Sequence, residues 1–268
     1  FSRTPLQIAY FKSAKMKRII KYALECYDVD VVHTQHIRMS QYTKDIDLPK
    51  ILDLPDAFSL YFRRRKETRR SFINRLIDII ESGRLAREES VIKQYDKTLV
   101  CSVEDKNYLE DLHETDNLDI LLNGVDLDTF DAKAGHDYSH NHTVLFTGNM
   151  DYAPNVDGVL YFVNEMWPTL AAKYPNTKFI IAGQRPDDAV KKLAGNRIEV
   201  TGFVPDIQDM YEQASVVVAP LRFGAGTQNK VLEAMAMGVP TVCTHIGFEG
   251  LEIQSGEGVI MAGDKERF

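Results

Sequence analysis

Cysteine is scarce in this chain: three among 268 residues, Cys26, Cys101 and Cys243, far apart and without a Cys-x-x-Cys pair. An odd, scattered set excludes a disulfide framework and reads as the reduced thiols of a cytosolic protein. Long apolar runs are missing too, and none approaches the roughly 20 residues that a membrane span needs. No signal peptide is visible, although the chain opens at Phe1 rather than Met, as a processed or truncated chain would. Internal repeats and low-complexity segments are absent. What remains is an ordinary soluble composition, 44% hydrophobic and 26% charged, on a chain long enough for two domains with cores of their own.

The net charge of −7 is unevenly spread. Residues 1–75 hold 16 Lys/Arg against 8 Asp/Glu, so the acidic excess lies beyond them. The densest basic run is Arg63-Arg64-Arg65-Lys66, followed by Arg69, Arg70 and Arg75. A solvated helix face fits this run, and so does a patch for an anionic membrane surface or a phosphorylated acceptor. Nucleic acid fits poorly, because only Phe72 interleaves with the cations and the whole chain is acidic.

Short apolar strands alternate with amphipathic helical stretches along both halves. In the first half, helices are predicted over 6–27, 57–95 (broken near Gly83) and 104–112, with strands over 29–34, 51–54, 98–101 and 119–122. Periodicity then fails over 131–142, which marks a linker. The second half restarts with a strand over 143–147 and a helix over 157–173. Further strands are predicted over 178–182, 197–201, 215–219, 240–243 and 258–261. Such alternation means parallel sheets covered on both faces. The predicted fold class is α/β, two Rossmann-like domains facing across a cleft, over 1–134 and 135–268. Both ends read as cut, since no glycine-rich first turn precedes residue 1 and a helix is starting at Asp264.

One stretch carries chemistry, VVVAPLRFGAGTQNKVLEAMAMGVPTV from Val216 to Val242. A β-branched run ends at Pro220, and the turn Gly224-Ala225-Gly226 follows. Thr227 stands where a helix N-cap belongs, ahead of strong helix formers. A strand, a glycine turn and a helix start offer amides and a partial positive charge to a phosphate. Lys230 adds a cation in the first turn. Glu233, three residues on and about one turn away, can accept hydrogen bonds from ligand hydroxyls. Amides, a cation and a carboxylate together suit a nucleotide sugar. The stripe Val231, Leu232 and Met235 reads as core.

With these residues in view, the chain resembles the GT-B glycosyltransferases, specifically the large retaining group classed as family 4. LLNGVDLDTF (Leu121 to Phe130), FTGNMDYAPNVDGVLYFVNEMWP (Phe146 to Pro168), FIIAGQRP and VTGFVPDIQDMYEQASVVVAP carry the likeness together with the stretch above. The resemblance implies that Glu233 binds the ribose hydroxyls and that Gly226, Thr227, Gln228 and Asn229 face the diphosphate and sugar. It places Gly148 beneath the diphosphate, and Phe203 and Val204 at the nucleobase; Gly224, Lys230 and Val231 complete the donor set. Three positions depart from the family pattern. Ala225 stands where the first of two glutamates belongs, eight residues before Glu233. The first loop of the donor domain reads Asn149-Met150-Asp151 instead of carrying a basic residue. Aligning Asp56 with the Asp of a His-Asp pair puts Pro55 at the His, so ILDLPDAFS would supply Asp53 and Asp56 instead.

The chemistry implied is electrostatic, with Lys230 and Arg222 stabilising the departing diphosphate and Asp56 the third catalytic candidate. His33 and His36 follow the first strand, at the carboxyl end where open α/β sheets bind ligands, and are acceptor-side candidates. His136, His140 and His142 sit in the irregular stretch, where a polar linker outweighs a metal site. No metal and no cofactor is called for; a UDP- or GDP-sugar is the donor and a carbohydrate or lipid-linked group the acceptor. The setting read is cytoplasmic, with Arg63 to Arg70 a candidate peripheral contact to the inner face of the membrane. A nucleotide-sugar epimerase and a non-catalytic nucleotide-sugar binding module are the alternatives.

Overall fold

Among the described residues, ten strands of three to five residues, rich in Val, Ile, Leu and Thr and all parallel to their neighbours, form two sheets. The structure is a computed structural model that describes residues 4–132 and 137–268. Two compact units emerge, one of residues 1–122 with Gly224–Gly226, the other of residues 123–223 and 227–268. The expected domain boundary after 134 falls among residues 133–136, outside the described residues, as does His136.

In the first unit, β1 (Val32–Gln35), β2 (Lys50–Leu54), β3 (Lys97–Val100) and β4 (Leu118–Ile120) lie side by side in chain order. Leu52, Leu54, Val100 and Leu118 project from the sheet into a core with Leu60, Ile92 and Leu109. The helix Val103–His113 begins at Ser102, whose Oγ accepts the Asp105 amide at 3.0 Å. That hydroxyl satisfies one of the unpaired amides of the first turn.

The second unit holds β5 (Thr143–Thr147), β6 (Lys178–Ala182), β7 (Ile198–Gly202), β8 (Val216–Ala219), β9 (Thr241–Cys243) and β10 (Val259–Met261). Their order is β10-β9-β8-β5-β6-β7. The chain runs outward from β5 to β7 and then returns to the other side of β5. The point of reversal lies between β5 and β8, paired through Val144 with Val216 and Leu145 with Val217. Open parallel sheets bind ligands at the carboxyl ends of strands that flank such a reversal. Phe146, Phe179 and Ile181 pack with Phe162 and Trp167 on one face. Leu145, Ile180 and Val217 pack with Tyr211, Ala234 and Met237 on the other, which is why these strands read as unbroken apolar runs.

Three long predicted helices are each two. The stretch 6–27 divides into Leu6–Ala9 and Ala14–Cys26, the second capped by Ser13 Oγ on the Met16 amide. The stretch 57–95 breaks over 69–71, between Phe58–Thr68 and Phe72–Glu89, and not at Gly83. Gly83 has nothing within 4 Å of where its Cβ would stand, so it is carried on an open helix face. The stretch 157–173 starts earlier and divides at Met166 into Ala153–Glu165 and Trp167–Lys173, with Pro154 and Pro168 in the two first turns.

Candidate functional site

Two glycines open the site at the carboxyl ends of β5 and β6. Gly148 (φ +148°) and Gly183 (φ +147°) stand back to back, and a Cβ on Gly183 would lie 1.8 Å from the Gly148 carbonyl oxygen. A Cβ on Gly148 would come within 2.6 Å of Asn155 Nδ2. Only glycine permits both the backbone conformation and the approach. The amides of Gly148 and Gly183 donate to Ala182 O and Gly202 O, both at 3.1 Å, so the three loops after β5, β6 and β7 are tied together.

Across the reversal point, the helix Asn229–Ala236 follows β8 and its glycine turn. The N-cap is Gln228 and not Thr227 as expected, and the Gln228 side chain makes no capping bond. Lys230 is only 8% exposed. Its Nζ donates to Asn155 Oδ1 at 3.1 Å and Gln228 Oε1 at 3.3 Å, and lies 5.3 Å from the centre of the Phe146 ring. Burial pushes the ammonium down to about 8, against a smaller opposing pull from Glu233. Asn155 Nδ2 in turn donates to Asn149 O at 2.9 Å, linking Lys230 to the loop behind Gly148. A buried ammonium held by two neutral amide oxygens lacks a full counter-charge, and an anion arriving there would supply one.

Glu233 is half-buried beside it, and Tyr211 donates its O–H to Glu233 Oε2 at 2.6 Å. The Tyr211 oxygen also meets Thr147 Oγ1 at 2.8 Å and Lys230 O at 3.3 Å. Burial first, then the Glu233 charge, raises the Tyr211 phenol well above its usual range, so it stays a donor. The carboxylate is therefore oriented from behind. Thr147, Asn155 and Tyr211 are partners that sequence reasoning missed; the only sign of Asn155 was its place in the quoted FTGNMDYAPN run.

The remaining donor-side residues separate into three groups. Phe203 follows Gly202 and is 71% exposed, whereas Val204 packs onto the core beside Tyr211. Asn229 is exposed and accepts from Asn123 Nδ2 at 3.1 Å, while Thr227 and Gln228 are half-buried. Val231, also read as part of the core stripe, is fully buried with Ala219, Cys243 and Val259, and its amide donates to Gln228 O at 2.9 Å. Arg222 is already engaged, its Nε on Asp157 Oδ2 at 2.8 Å and its guanidinium 4.8 Å from the Tyr161 ring centre. A cation the sequence reading passed over stands at the β6 loop, where Arg185 pairs with Asp151 at 3.2 Å.

The first unit holds the other candidates. Asp56 follows β2, and burial, then the nearby Asp105 charge, pushes its carboxyl up to about 7. Asp105 is buried, accepting from Ser102 Oγ at 2.6 Å and from the Gly226 amide at 2.8 Å. The glycine turn, which belongs to this unit, is thus fixed at Gly226 (φ +70°), where a Cβ would fall 2.4 Å from Asp56 Oδ1. Arg64 Nη1 donates to Gly224 O at 3.0 Å, and Ala225 is buried between the two glycines. His33 reaches Asp53 Oδ2 only at 3.7 Å. His36 takes φ +77° and lies 4.7 Å from the Phe58 ring; burial, then Arg38, lowers it to about 4, so it is neutral at pH 7. Among the described residues, no group of three or more His, Cys, Asp or Glu side chains is placed to hold a metal; His140 pairs with Asp137 at 3.3 Å.

A buried cation, an oriented carboxylate and paired glycines meet at a sheet reversal, which suits an anionic ligand that also carries hydroxyls. Residues 141–268 match the glycosyl transferases group 1 family. That segment contains every part of the second unit's cluster. A 44.6 kDa protein in the cps region of Klebsiella pneumoniae is 30% identical over 138 residues, covering 48% of this chain and 36% of that protein. A D-inositol 3-phosphate glycosyltransferase of Frankia alni is 27% identical over 210 residues, covering 68% of this chain and 50% of that protein. The chain thus spans half or less of the length of these curated relatives. Among solved structures, TarM superposes with a TM-score of 0.69 at 13% identity, over 92% of this chain and 48% of that one. Anabaena HepE in complex with UDP and glucose gives 0.65 at 15% identity, over 100% of this chain and 73% of that one. At such identities the likeness is one of fold, two Rossmann-like domains of the GT-B type.

Proposed function

We propose that the chain belongs to an enzyme that transfers a sugar from a nucleoside-diphosphate sugar to an acceptor hydroxyl with retention at the anomeric carbon. The observation that carries this reading is the cluster at the β5/β8 reversal, with Lys230 buried short of a counter-charge and Glu233 held by Tyr211. Glu233 takes the ribose hydroxyls, Lys230 the diphosphate above Gly148, and the turn at Phe203 and Val204 the base. In the reaction the bond from the anomeric carbon to the diphosphate breaks. Negative charge grows on the departing oxygen, and a preoriented ammonium stabilises it more than water would. In the first unit, Asp56, with its carboxyl near 7, is the group for the proton of the acceptor hydroxyl.

Both HepE and TarM have been solved with UDP, so UDP-sugars are the first donors to test, with GDP-sugars next. The cps-region relative supports a place in polysaccharide or glycolipid synthesis. Nucleotide sugars as donors go with a cytoplasmic setting, and no described helix is long and apolar enough to cross a membrane. The test is NMR of the donor with and without a carbohydrate acceptor. Loss of the donor signal with a new linkage of the same anomeric form supports transfer with retention; the opposite anomer overturns retention, and a donor epimer overturns transfer. A non-catalytic binding module is the second reading, favoured by Ala225 in place of an acid and by Arg222 already tied to Asp157; binding without turnover would establish it.

A further inference from the structure

The helix Phe72–Glu89 faces the wrong way for a domain in water. Its inward side carries Asp78, Glu81, Leu85 and Glu89, all buried. Its outward side carries Phe72, Ile73, Leu76, Ile77, Ile79 and Ile80, all exposed, Phe72 by 78% and Ile73 by 69%. At 100° per residue these six fall within an arc of about 160°, opposite the buried set. A surface helix normally shows the reverse pattern. The inverted orientation is held by specific partners. Asp78 is bonded by Arg65 and Arg69, Glu81 by Arg84 and the Leu6 amide, and Glu89 by Ser59. Turning the apolar side inward would leave those acids without their partners, so the apolar side is held outward. Six such side chains expose on the order of several hundred Å², the scale at which an apolar patch marks an interaction surface.

The charge around the patch selects the occupant. Residues 63–75 contain seven Lys/Arg and one acidic residue. Arg65 and Arg69 share the single carboxylate of Asp78, while Arg70 and Arg75 are exposed on either side of Phe72 and Ile73, Arg75 reaching Glu67 only at 3.9 Å. Two copies of this face brought together would oppose their own cations, which disfavours self-association through it. We propose that the turn at 69–71 and the outward face of helix Phe72–Glu89 dock on an anionic lipid bilayer. The apolar side chains enter the headgroup boundary while Arg70 and Arg75 meet lipid phosphates. The inference goes beyond sugar transfer and does not rest on it.

The test is co-sedimentation of the full chain, without nucleotide, with vesicles of phosphatidylethanolamine and phosphatidylglycerol or of phosphatidylcholine alone. The wild type should sediment with the anionic vesicles and not the neutral ones. Arg70→Ala with Arg75→Ala should weaken that binding about thirtyfold. Ile73→Ser with Ile77→Ser should weaken it by about tenfold or more. Because the four positions are exposed, circular dichroism and melting should stay as in the wild type. No vesicle binding, equal binding to neutral vesicles, or binding that survives either pair of substitutions would overturn the proposal. So would a dimer that Ile73→Ser with Ile77→Ser dissolves while neither protein binds vesicles. Nucleotide-sugar titration is a separate readout, so the failure of one proposal leaves the other standing.

Discussion

Lys230 is the residue whose chemistry the fold alters most. Its folded value of about 8 lies below the ordinary 10.5. Between those two values the unfolded chain holds the extra proton, so this group makes stability rise with pH over that window. For ligand the sign is opposite, because a diphosphate needs the ammonium. UDP affinity should therefore fall as pH rises from 7 to 9, and Lys230→Met should flatten the profile. Lys230→Ala should weaken UDP far more than uridine in calorimetry; equal losses would remove Lys230 from the phosphate. The lysine and its neighbour Glu233 were legible in the sequence as a helix-start pair. Their partners were not, because Thr147, Asn155 and Tyr211 lie far off along the chain and meet only when β5 and β8 become neighbours.

At the scale of elements, the hairpin of Phe58–Thr68 and Phe72–Glu89 shows why helix breaks are hard to read. The break at 69–71 contains neither glycine nor proline; it is where Arg65 and Arg69 on one side converge on the buried Asp78 on the other. A glycine signal at Gly83 was read instead, though an exposed helix tolerates one at about 1 kcal/mol. Removing one partner of a buried pair leaves the other charge stranded, so Asp78→Ala should destabilise by about 3 kcal/mol in urea unfolding. At the far end of the same helix, Glu89 is buried against Ser59, and burial pushes its carboxyl up to about 7 from 4.5. A raised carboxyl contributes stability that is present below pH 4.5 and lost as pH rises through 7. Glu89→Gln should therefore gain on the wild type between pH 5 and 8. Parallel curves for the two proteins would show that Glu89 does not titrate in that window.

At the scale of the whole molecule, the alternation of short apolar runs with helical stretches carried the fold class, because strands buried on both faces show it directly. Both sheets came out parallel as expected. The glycine turn from Gly224 to Gly226 is compactly associated with the first unit while the helix after it belongs to the second, a division no local pattern announces. Of the donor-side residues named from the sequence, Gly148, Lys230 and Glu233 converge at the reversal of the second sheet, Val231 is buried with Ala219 and Cys243, and Arg222 pairs with Asp157. The central claim is that the converging group holds a nucleotide sugar, and calorimetric titration of UDP-glucose into the wild type and Glu233→Ala tests it most directly. Saturable binding that the substitution weakens by about 1.5–3 kcal/mol is the predicted result; the same affinity in both proteins, or none for any UDP- or GDP-sugar, would contradict it.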